Sequence, residues 1–309
     1  MSDVDASPAA GPAAIDAVPL RHPGRWLAAV VILALLGLFL YGAATNEAFG
    51  WSTYREYLFN DRILLGVFNT LQLTVYSMVL AIVLGVILSV MRLSPNPVFR
   101  SVSWVYLWIF RGTPVYVQLV FWGLIPTIYK HIQIGVPFFG PTFFQFDVQS
   151  LSIPFLLATL GLALNEAAYM AEIIRAGISS VPEGQLEAST ALGMSWVMTM
   201  WRTVLPQAMR VIIPPTGNEV ISMLKTTSLV TAVPYSYDVY SIATREIAAR
   251  TYEPVPMLLV AATWYLLVTS ILMVGQFYLE RYFSRGASRK LTTKQLEALA
   301  KAQINKPGM

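Results

Sequence analysis

Two charged residues lie inside long apolar stretches, where an ionisable side chain is costly. Arg111 falls near the middle of the apolar run 98–126, and Glu166 near the middle of the run 152–177. A charge at such depth in a bilayer costs ~2.5 kcal/mol or more and usually marks a pathway or an ion pair. One interpretation is a zwitterion site, in which the guanidinium binds a carboxylate and the carboxylate binds an ammonium group. The alternative is that Arg111 and Glu166 neutralise each other and hold two helices together.

Other kinds of chemistry find little support in the residue types. The chain has no cysteine, and its two histidines, His22 and His131, are far apart and outside the apolar runs. Disulfides, thiolate nucleophiles and Cys-ligated metals are therefore excluded, and no metal-spaced set or nucleophile–base pair occurs. No G-x-x-x-x-G-K-[ST] phosphate-binding loop occurs either, so we expect no ATPase site and no cofactor in this chain.

Further polar residues accompany the two charges. Asn165, Tyr169 and Glu172 are spaced i, i+4 and i+7, so they share one face of a helix. That face is too polar for lipid and fits either a path through the membrane or a seam between two chains. Four hydroxyl residues near the start of the fifth apolar run are expected to face the interior: Thr226, Thr227, Ser228 and Thr231.

The composition requires a membrane around these residues. Of the 309 residues, 56% are hydrophobic and 12% are charged, whereas soluble domains contain about 25% charged residues. A chain so poor in charge cannot cover a water-facing surface. The net charge of +4 is small, and basic residues lie at the ends of apolar runs rather than in one nucleic-acid-binding patch. The sequence therefore predicts an all-α integral membrane protein.

Six apolar stretches are candidates for bilayer-spanning helices, which need roughly 20 residues. They are 26–44, 63–91, 98–126, 152–177, 222–243 and 255–282. The fifth is rich in Thr, Ser and Tyr and needs protein or water around it rather than lipid. The first could be a signal peptide that ends at Ala44. Because its apolar region exceeds the about 7–15 residues of such peptides, we favour a retained anchor.

The basic residues predict the orientation of these spans. Lys and Arg are concentrated before the first span, between spans two and three, between spans four and five, and after the sixth. All of these segments fall on one side, so the positive-inside rule predicts six spans with both termini in the cytoplasm. Residues 1–25 are expected to form a disordered cytoplasmic tail and residues 285–309 a solvated cytoplasmic tail.

The segment 180–215, between spans four and five, contains strong helix-capping signals. Ser180 and Glu183 predict a capping box at the start of a short helix, with Pro182 in its first turn. Gly193 predicts the end of that helix. A projecting pair of helices joined at this glycine suits a protein partner, although a purely structural hairpin is the alternative.

A second helix is expected directly after this glycine. Ser195 predicts its N-cap, the helix is expected over 196–209, and Pro214 and Pro215 are expected to close it off.

Part of this segment resembles the "EAA" motif of ABC-importer permeases, E-A-A-x3-G-x9-I-x-L-P. The matching residues are Glu187, Ala188, Gly193, Leu205 and Pro206. Two positions depart from the motif, because Ser189 replaces the second Ala and Thr203 replaces the Ile. The resemblance implies that this region docks on an ATPase subunit, with Glu187 pairing there and Gly193 allowing close approach.

Residues 63–284 also resemble the polar amino acid (His/Glu/Gln/Arg/opine) permease family. The shared motifs are Asn69-Thr70-Leu71, Arg111-Gly112-Thr113-Pro114, Ala168-Tyr169-Met170-Ala171-Glu172, Pro182 with Gly184-Gln185, Leu205-Pro206-Gln207-Ala208, Pro214-Pro215, Leu224-Lys225 and Thr227-Ser228-Leu229. One residue departs, since Thr226 stands where the family often has Asp. The fold implied is the five-helix core of a type I importer, to which the span 26–44 is an addition.

The resemblance also implies partners and a location. The chain would pair with a second permease chain, identical or a sister subunit, in a bacterial inner membrane. Two cytoplasmic ATPase subunits would bind ATP, and an external binding protein would deliver an amino acid. The candidates for the substrate path are Arg111, Asn165, Glu166, Tyr169, Glu172, Thr226 and Ser228.

Two other classes of protein remain alternatives. A secondary transporter or channel would explain six spans with buried charges. It predicts an internal repeat, however, and neither the Arg-Gly-Thr-Pro run nor the Ala-Tyr-x-Ala-Glu run has a second copy. A membrane enzyme is disfavoured by the lack of a His, Cys or carboxylate cluster. The sequence does not fix which amino acid is carried, although Glu166 weakly favours a cationic side chain.

Overall fold

The structure, a computed structural model, describes residues 23–135, 140–148 and 153–283. The chain divides into two compact units, residues 1–49 and 50–309. In the first unit, α1 (Pro23–Thr45) is followed by a 3₁₀ turn, and its large apolar side chains are exposed. This helix is long and apolar enough to cross a bilayer. The retention of this helix as an anchor stays a prediction. The predicted tails, 1–25 and 285–309, lie outside the described residues, except that residues 23–25 belong to the first turn of α1.

The second unit is a helical bundle with one small hairpin. Its α-helices are α2 (Trp51–Tyr57), α3 (Asp61–Leu93), α4 (Pro97–Gly112), α5 (Val115–Ile128), α6 (Pro154–Ser179), α7 (Glu183–Ala191), α8 (Trp196–Thr199), α9 (Leu205–Thr226), α10 (Val239–Ser241), α11 (Ala248–Thr251) and α12 (Pro254–Phe283). Strands β1 (His131–Gly135) and β2 (Thr142–Asp147) pair antiparallel between α5 and α6. The helices α3, α6 and α12 are long and apolar enough to span a bilayer, as predicted from the second, fourth and sixth apolar runs.

The centre of the bundle is the parallel pair α3 and α6. The Ser77 hydroxyl donates to the Thr159 carbonyl at 3.4 Å, and farther along a Cβ on Gly85 would lie 2.6 Å from the Cβ of Met170. Glycine at position 85 therefore lets the two backbones approach. Buried side chains of α4, α5 and α9 complete this apolar core around α6.

A second core lies around the first turns of α3. Ile63 packs there with Ile242 of a π-helical turn (Ile242–Ile247) and with Met257 of α12. The indole of Trp264 donates to the Leu58 carbonyl at 2.7 Å, which fixes α12 against the end of α2. The start of α3, the π-helical turn and α12 therefore form one packed group at this end of the bundle.

The third predicted span consists of two helices. The helix α4 ends at Gly112 and α5 begins at Val115, and Thr113 and Pro114 between them are extended. Pro114 cannot donate a backbone hydrogen bond and forces the preceding residue out of the helical region. The sequence run Arg111-Gly112-Thr113-Pro114 predicts such a break at the proline, and the structure confirms it.

The fifth predicted span, 222–243, is not a single helix. The helix α9 already begins at Leu205 and ends at Thr226, after which the chain forms a 3₁₀ helix (Thr227–Ala232) and then non-helical residues 233–238. The expected stop at Pro214-Pro215 is also wrong, because both prolines lie inside α9. Neighbouring α6 and α12 hold α9 on both sides, and Gln276 donates to the Pro214 carbonyl at 2.7 Å. Such neighbours allow a membrane helix to continue through proline.

The capping of α7 differs from the predicted capping box. Ser180 belongs to the end of α6, where its hydroxyl donates to the Gly177 carbonyl at 2.7 Å, and Pro182 precedes the first turn of α7. The predicted cap by Ser195 is confirmed, since its hydroxyl accepts the Met198 amide at 3.4 Å. That cap starts α8, which continues through a π-helical turn (Met200–Val204) directly into α9.

The predicted end of α7 at Gly193 is confirmed. Gly193 has φ +73°, and its amide donates to the Thr190 carbonyl at 2.9 Å. The Met194 amide donates to the Ser189 carbonyl at 3.1 Å. These two bonds form a Schellman motif, which reverses the chain after α7.

Candidate functional site

A cavity of about 490 Å³ lies where the α4–α5 break faces the middle of α6 and the last turns of α9. Its volume is in the range of small-molecule sites. Its polar side chains come from three elements: Arg111, Thr113, Asn165, Glu166, Tyr169, Glu219, Ser222 and Thr226. We call this space the central cavity. It brings together five of the seven residues predicted for a substrate path.

The break between α4 and α5 is fixed by two amide side chains. The Gln118 amide nitrogen donates to the Phe110 carbonyl at 3.0 Å, to the Thr113 carbonyl at 3.1 Å and to the Thr113 hydroxyl at 2.7 Å. Asn165 of α6 donates to the Phe110 carbonyl at 3.0 Å and to the Gln118 side-chain oxygen at 3.1 Å. A helix break at a proline frees backbone carbonyls that could line a cavity, but here Gln118 and Asn165 bind those of Phe110 and Thr113.

Arg111 and Glu166 form no ion pair. The Arg111 guanidinium lies 5.4 Å from the centre of the Tyr169 ring, a cation–π contact between α4 and α6. Within residues 23–135, 140–148 and 153–283, the ion pairs join Arg62 to Glu246, Arg175 to Glu172 and Arg250 to Glu246. The guanidinium of Arg111 is therefore available to an anionic group in the central cavity.

Glu166 instead interacts with a residue that the sequence analysis missed. Its carboxyl group lies beside that of Glu219 on α9, and both residues border the central cavity. Glu166 is 7% exposed, and its Oε1 atom has no hydrogen-bond partner in the described part of the chain. A buried oxygen without a partner costs free energy, so it is a natural contact for a ligand's donor.

Glu219 was missed because α9 was expected to stop before it. Once the helix continues past the prolines, Glu219, Ser222 and Thr226 are spaced i, i+3 and i+7 on one face. This face borders the central cavity. The helical spacing of these three residues is visible in the sequence, but Pro214 and Pro215 indicated that no helix would continue through this segment.

Two predicted path residues lie elsewhere. Glu172 forms an ion pair with Arg175 at 2.7 Å and borders a neighbouring cavity rather than the central one. The Ser228 hydroxyl donates to the Lys225 carbonyl at 2.8 Å, and Ser228 does not line the central cavity. Neither residue can therefore contact a ligand in that cavity without rearrangement.

The motif residues of α7 form an exposed surface, and the opposite side of α7 is hydrogen-bonded to the segment that leads into α9. Glu187 and Ala188 are exposed, whereas Ser189 is buried and its hydroxyl lies 2.9 Å from that of Thr203. Gln207 of α9 donates to the Thr203 carbonyl at 2.9 Å and to the Gln185 side chain at 3.4 Å. The surface therefore projects from the bundle on a fixed base that includes the first turn of α9, where Leu205 and Pro206 lie.

Comparisons with known proteins agree with this architecture. Residues 81–285 match the family described as binding-protein-dependent transport system inner membrane component. The chain is 61% identical over 312 residues, covering 100% of this chain and 96% of the relative, to the arginine transport system permease protein ArgU of Corynebacterium glutamicum. It is 38% identical over 211 residues, covering 67% and 84%, to the histidine/lysine/arginine/ornithine transport system permease protein HisM of Salmonella typhimurium.

A solved structure shares the fold. It is described as a crystal structure of an amino acid ABC transporter with histidines, and the match has a TM-score of 0.61 at 29% identity, covering 77% of this chain and 99% of that chain. The resemblance to polar amino acid permeases and the all-α fold of a type I importer are thus confirmed. This chain belongs to the family of binding-protein-dependent transport system inner membrane components.

Proposed function

We propose that this permease imports an amino acid with a cationic side chain, with arginine as the first candidate, and that the central cavity is its binding site within the membrane. One observation carries the proposal: two carboxyl groups, those of Glu166 and Glu219, meet in a cavity that also contains the guanidinium of Arg111. The 61% identity to an arginine permease supports the same class of substrate.

The charges of the central cavity match the three charges of arginine. Two carboxyl groups that face the same cavity repel each other when both are ionised, and a bound cation relieves that repulsion. The guanidinium and the α-ammonium group of the substrate would then bind Glu166 and Glu219 through charge-assisted hydrogen bonds. The substrate carboxylate would bind Arg111, and Tyr169, Ser222 and Thr226 would complete the polar lining.

We also propose that both termini lie in the cytoplasm and that the membrane is the bacterial inner membrane. The helices α3 and α6 are parallel, so their last turns lie at the end of the bundle that carries α7. Arg92, Arg100 and Arg175 meet at that end. By the positive-inside rule, this is the cytoplasmic end.

The proposed assembly contains this chain, a second permease chain, two ATPase subunits that bind the ATP, and an external binding protein. We assign the exposed side of α7 to ATPase docking, because Glu187 projects there without an ion pair among the described residues. In this proposal the chain hydrolyses no ATP itself. It supplies the path and transmits the movement of the ATPase subunits.

The experiment is ATP-dependent uptake of labelled arginine into proteoliposomes that contain the complete importer. Since the binding protein selects the substrate first, variants of the permease test the cavity itself. We expect Glu166→Gln and Glu219→Gln each to lower arginine uptake about tenfold or more, because each removes one charge-assisted contact. Glu253→Gln is the matched control, since Glu253 is exposed and outside the cavity.

Competition completes the test. Unlabelled lysine should reduce arginine uptake, whereas citrulline, which replaces the guanidinium by a neutral ureido group, should not. Unchanged arginine uptake in the Glu219→Gln variant would contradict the proposed site. Efficient uptake of citrulline by the wild-type importer would contradict the proposed substrate class.

A further inference from the structure

Three cavities follow one another along α4 and α6. The central cavity shares Arg111 and Gly112 with a second cavity of about 340 Å³. The second cavity shares Arg92 and Trp104 with a third of about 610 Å³. Because neighbouring cavities share lining residues, they adjoin one another, and we call this series of cavities the groove. It leads from the central cavity to the end of the bundle that carries α7.

The charge of the lining changes along this groove. The central cavity has Arg111 together with the carboxyl groups of Glu166 and Glu219. The lining of the second cavity contains one acidic residue, Glu172, and two basic residues, Arg92 and Arg111. The lining of the third cavity contains Arg92, Arg100 and Arg175 and no acidic residue. A solute that moves along the groove therefore passes from an acidic to a basic environment.

The basic charge at the end of the groove is largely uncompensated. Arg175 forms an ion pair with Glu172 at 2.7 Å, but neither Arg92 nor Arg100 forms an ion pair in the part of the chain that the structure describes. Trp104, which borders both outer cavities, is stacked on Trp108 with ring centroids 6.2 Å apart and planes 3° apart. The two guanidinium groups thus lie beside a flat aromatic wall and are not neutralised there.

We propose that this groove is the route by which the substrate leaves the central cavity, and that Arg92, Arg100 and Arg175 form a basic vestibule that disfavours re-entry of cationic amino acids. This inference rests on the proposed function, since it requires a cationic substrate. A cluster of like charge at a channel entrance lowers the local concentration of ions of the same sign. The vestibule therefore reduces rebinding from the side where the transported amino acid accumulates.

The experiment measures inhibition of uptake by arginine inside the vesicles. Proteoliposomes containing the complete importer are loaded with increasing internal arginine, and ATP-dependent uptake of labelled external arginine is measured. For charges about 8 Å apart, we expect Arg92→Gln/Arg100→Gln to lower the half-inhibitory internal concentration about threefold at 0.15 M salt and about tenfold at low ionic strength.

Two controls separate charge from structure. Arg92→Lys/Arg100→Lys keeps the charge and should retain the half-inhibitory concentration of the wild type. Arg250→Gln removes one charge at the end of the bundle near Arg62, away from the vestibule, and should also have no effect. Uptake into vesicles without internal arginine should stay within about twofold in all of these variants.

The outcomes are distinct. Half-inhibitory concentrations that are equal in the wild type and the double Gln variant would overturn the vestibule. If the double Gln variant instead loses only a stimulation by phosphatidylglycerol in the vesicles, the cavity binds a lipid headgroup and the proposal is overturned. If vesicles without internal substrate take up no cationic amino acid, both the proposed substrate class and the vestibule are contradicted. Normal uptake with unchanged inhibition overturns the vestibule alone.

Discussion

The hydroxyl oxygens of Ser189 and Thr203 lie 2.9 Å apart and join α7 to the π-helical turn before α9. These are the two residues that depart from the EAA motif, where an Ala and an Ile are usual. The Ser189 hydroxyl also donates to the Gln185 carbonyl at 2.8 Å, so the Thr203 hydroxyl is the donor between the pair. The two departures are therefore one feature, a hydrogen bond that fixes the base of α7.

Removing this hydrogen bond should destabilise the base of α7. We expect Ser189→Ala and Thr203→Val each to lower the free energy of unfolding by about 1 kcal/mol, since each leaves the other hydroxyl without this partner. The double variant should lose less than both single losses together. Thermal unfolding of the purified permease–ATPase complex measures this, and strictly additive losses would show that the two hydroxyls act independently.

Substitutions at Gly193 should act through its backbone conformation. Gly193 has φ +73°, and a Cβ there would meet no atom within 4 Å. We expect Gly193→Ala and Gly193→Leu to cost a similar ~1–2 kcal/mol of stability, whereas Gly184→Ala, in open space without a positive φ, should cost nothing.

Uptake then tests the docking role of the same residue. If Gly193 also approaches the ATPase closely, ATP-dependent uptake should fall further in the Leu variant than in the Ala variant at equal stability. If the Gly193→Ala variant is as stable as the wild type, the positive φ at this position does not strain a residue that has a side chain. Equal uptake by both variants would contradict close approach to the ATPase.

The contact between α3 and α6 should tolerate no side chain at position 85. A methyl group on Gly85 would lie 2.6 Å from the Cβ of Met170, an atom that no rotamer change can move away. We expect Gly85→Ala to cost about 1–3 kcal/mol of stability through overpacking. Gly275→Ala in α12, where a Cβ meets nothing within 4 Å, is the control. Melting temperatures in detergent compare them, and equal values would exclude the close approach.

The separation of Arg111 from Glu166 predicts how their variants combine. Because no ion pair joins them in the structure, neutralising both should not restore what either single change removes. We expect arginine uptake of the Arg111→Gln/Glu166→Gln variant to be no better than that of the worse single variant. Recovery of both uptake and thermal stability in the double variant would instead reveal a structural pair.

Features that depend on neighbouring residues in the sequence were predictable. The helices α3, α6 and α12 follow from long apolar runs, the break after Gly112 from Pro114, and the reversal after α7 from Gly193. Each of these depends on a local preference, either transfer of apolar residues into lipid or the restricted backbone of proline and freedom of glycine.

Features that depend on distant contacts were not predictable. The helix α9 passes through Pro214 and Pro215 because α6 and α12 hold it and Gln276 binds the Pro214 carbonyl. This continuation brings Glu219 to Glu166, so an error in one helix boundary concealed half of the acidic pair. Likewise, Arg111 and Glu166 share the central cavity, but their partners there, Tyr169 and Glu219, could be identified only from the three-dimensional packing.

The hydrogen bonds that Gln118 and Asn165 make at the break between α4 and α5 have a mechanical consequence for transport. Straightening or bending the chain at Thr113 would break the bonds that Gln118 makes to Phe110 and Thr113. Sliding α6 would break the bonds of Asn165 to the same place. We therefore expect the angle between α4 and α5 to stay fixed, so that the break does not act as a hinge. We expect α4, α5 and the part of α6 around Asn165 to move together during transport.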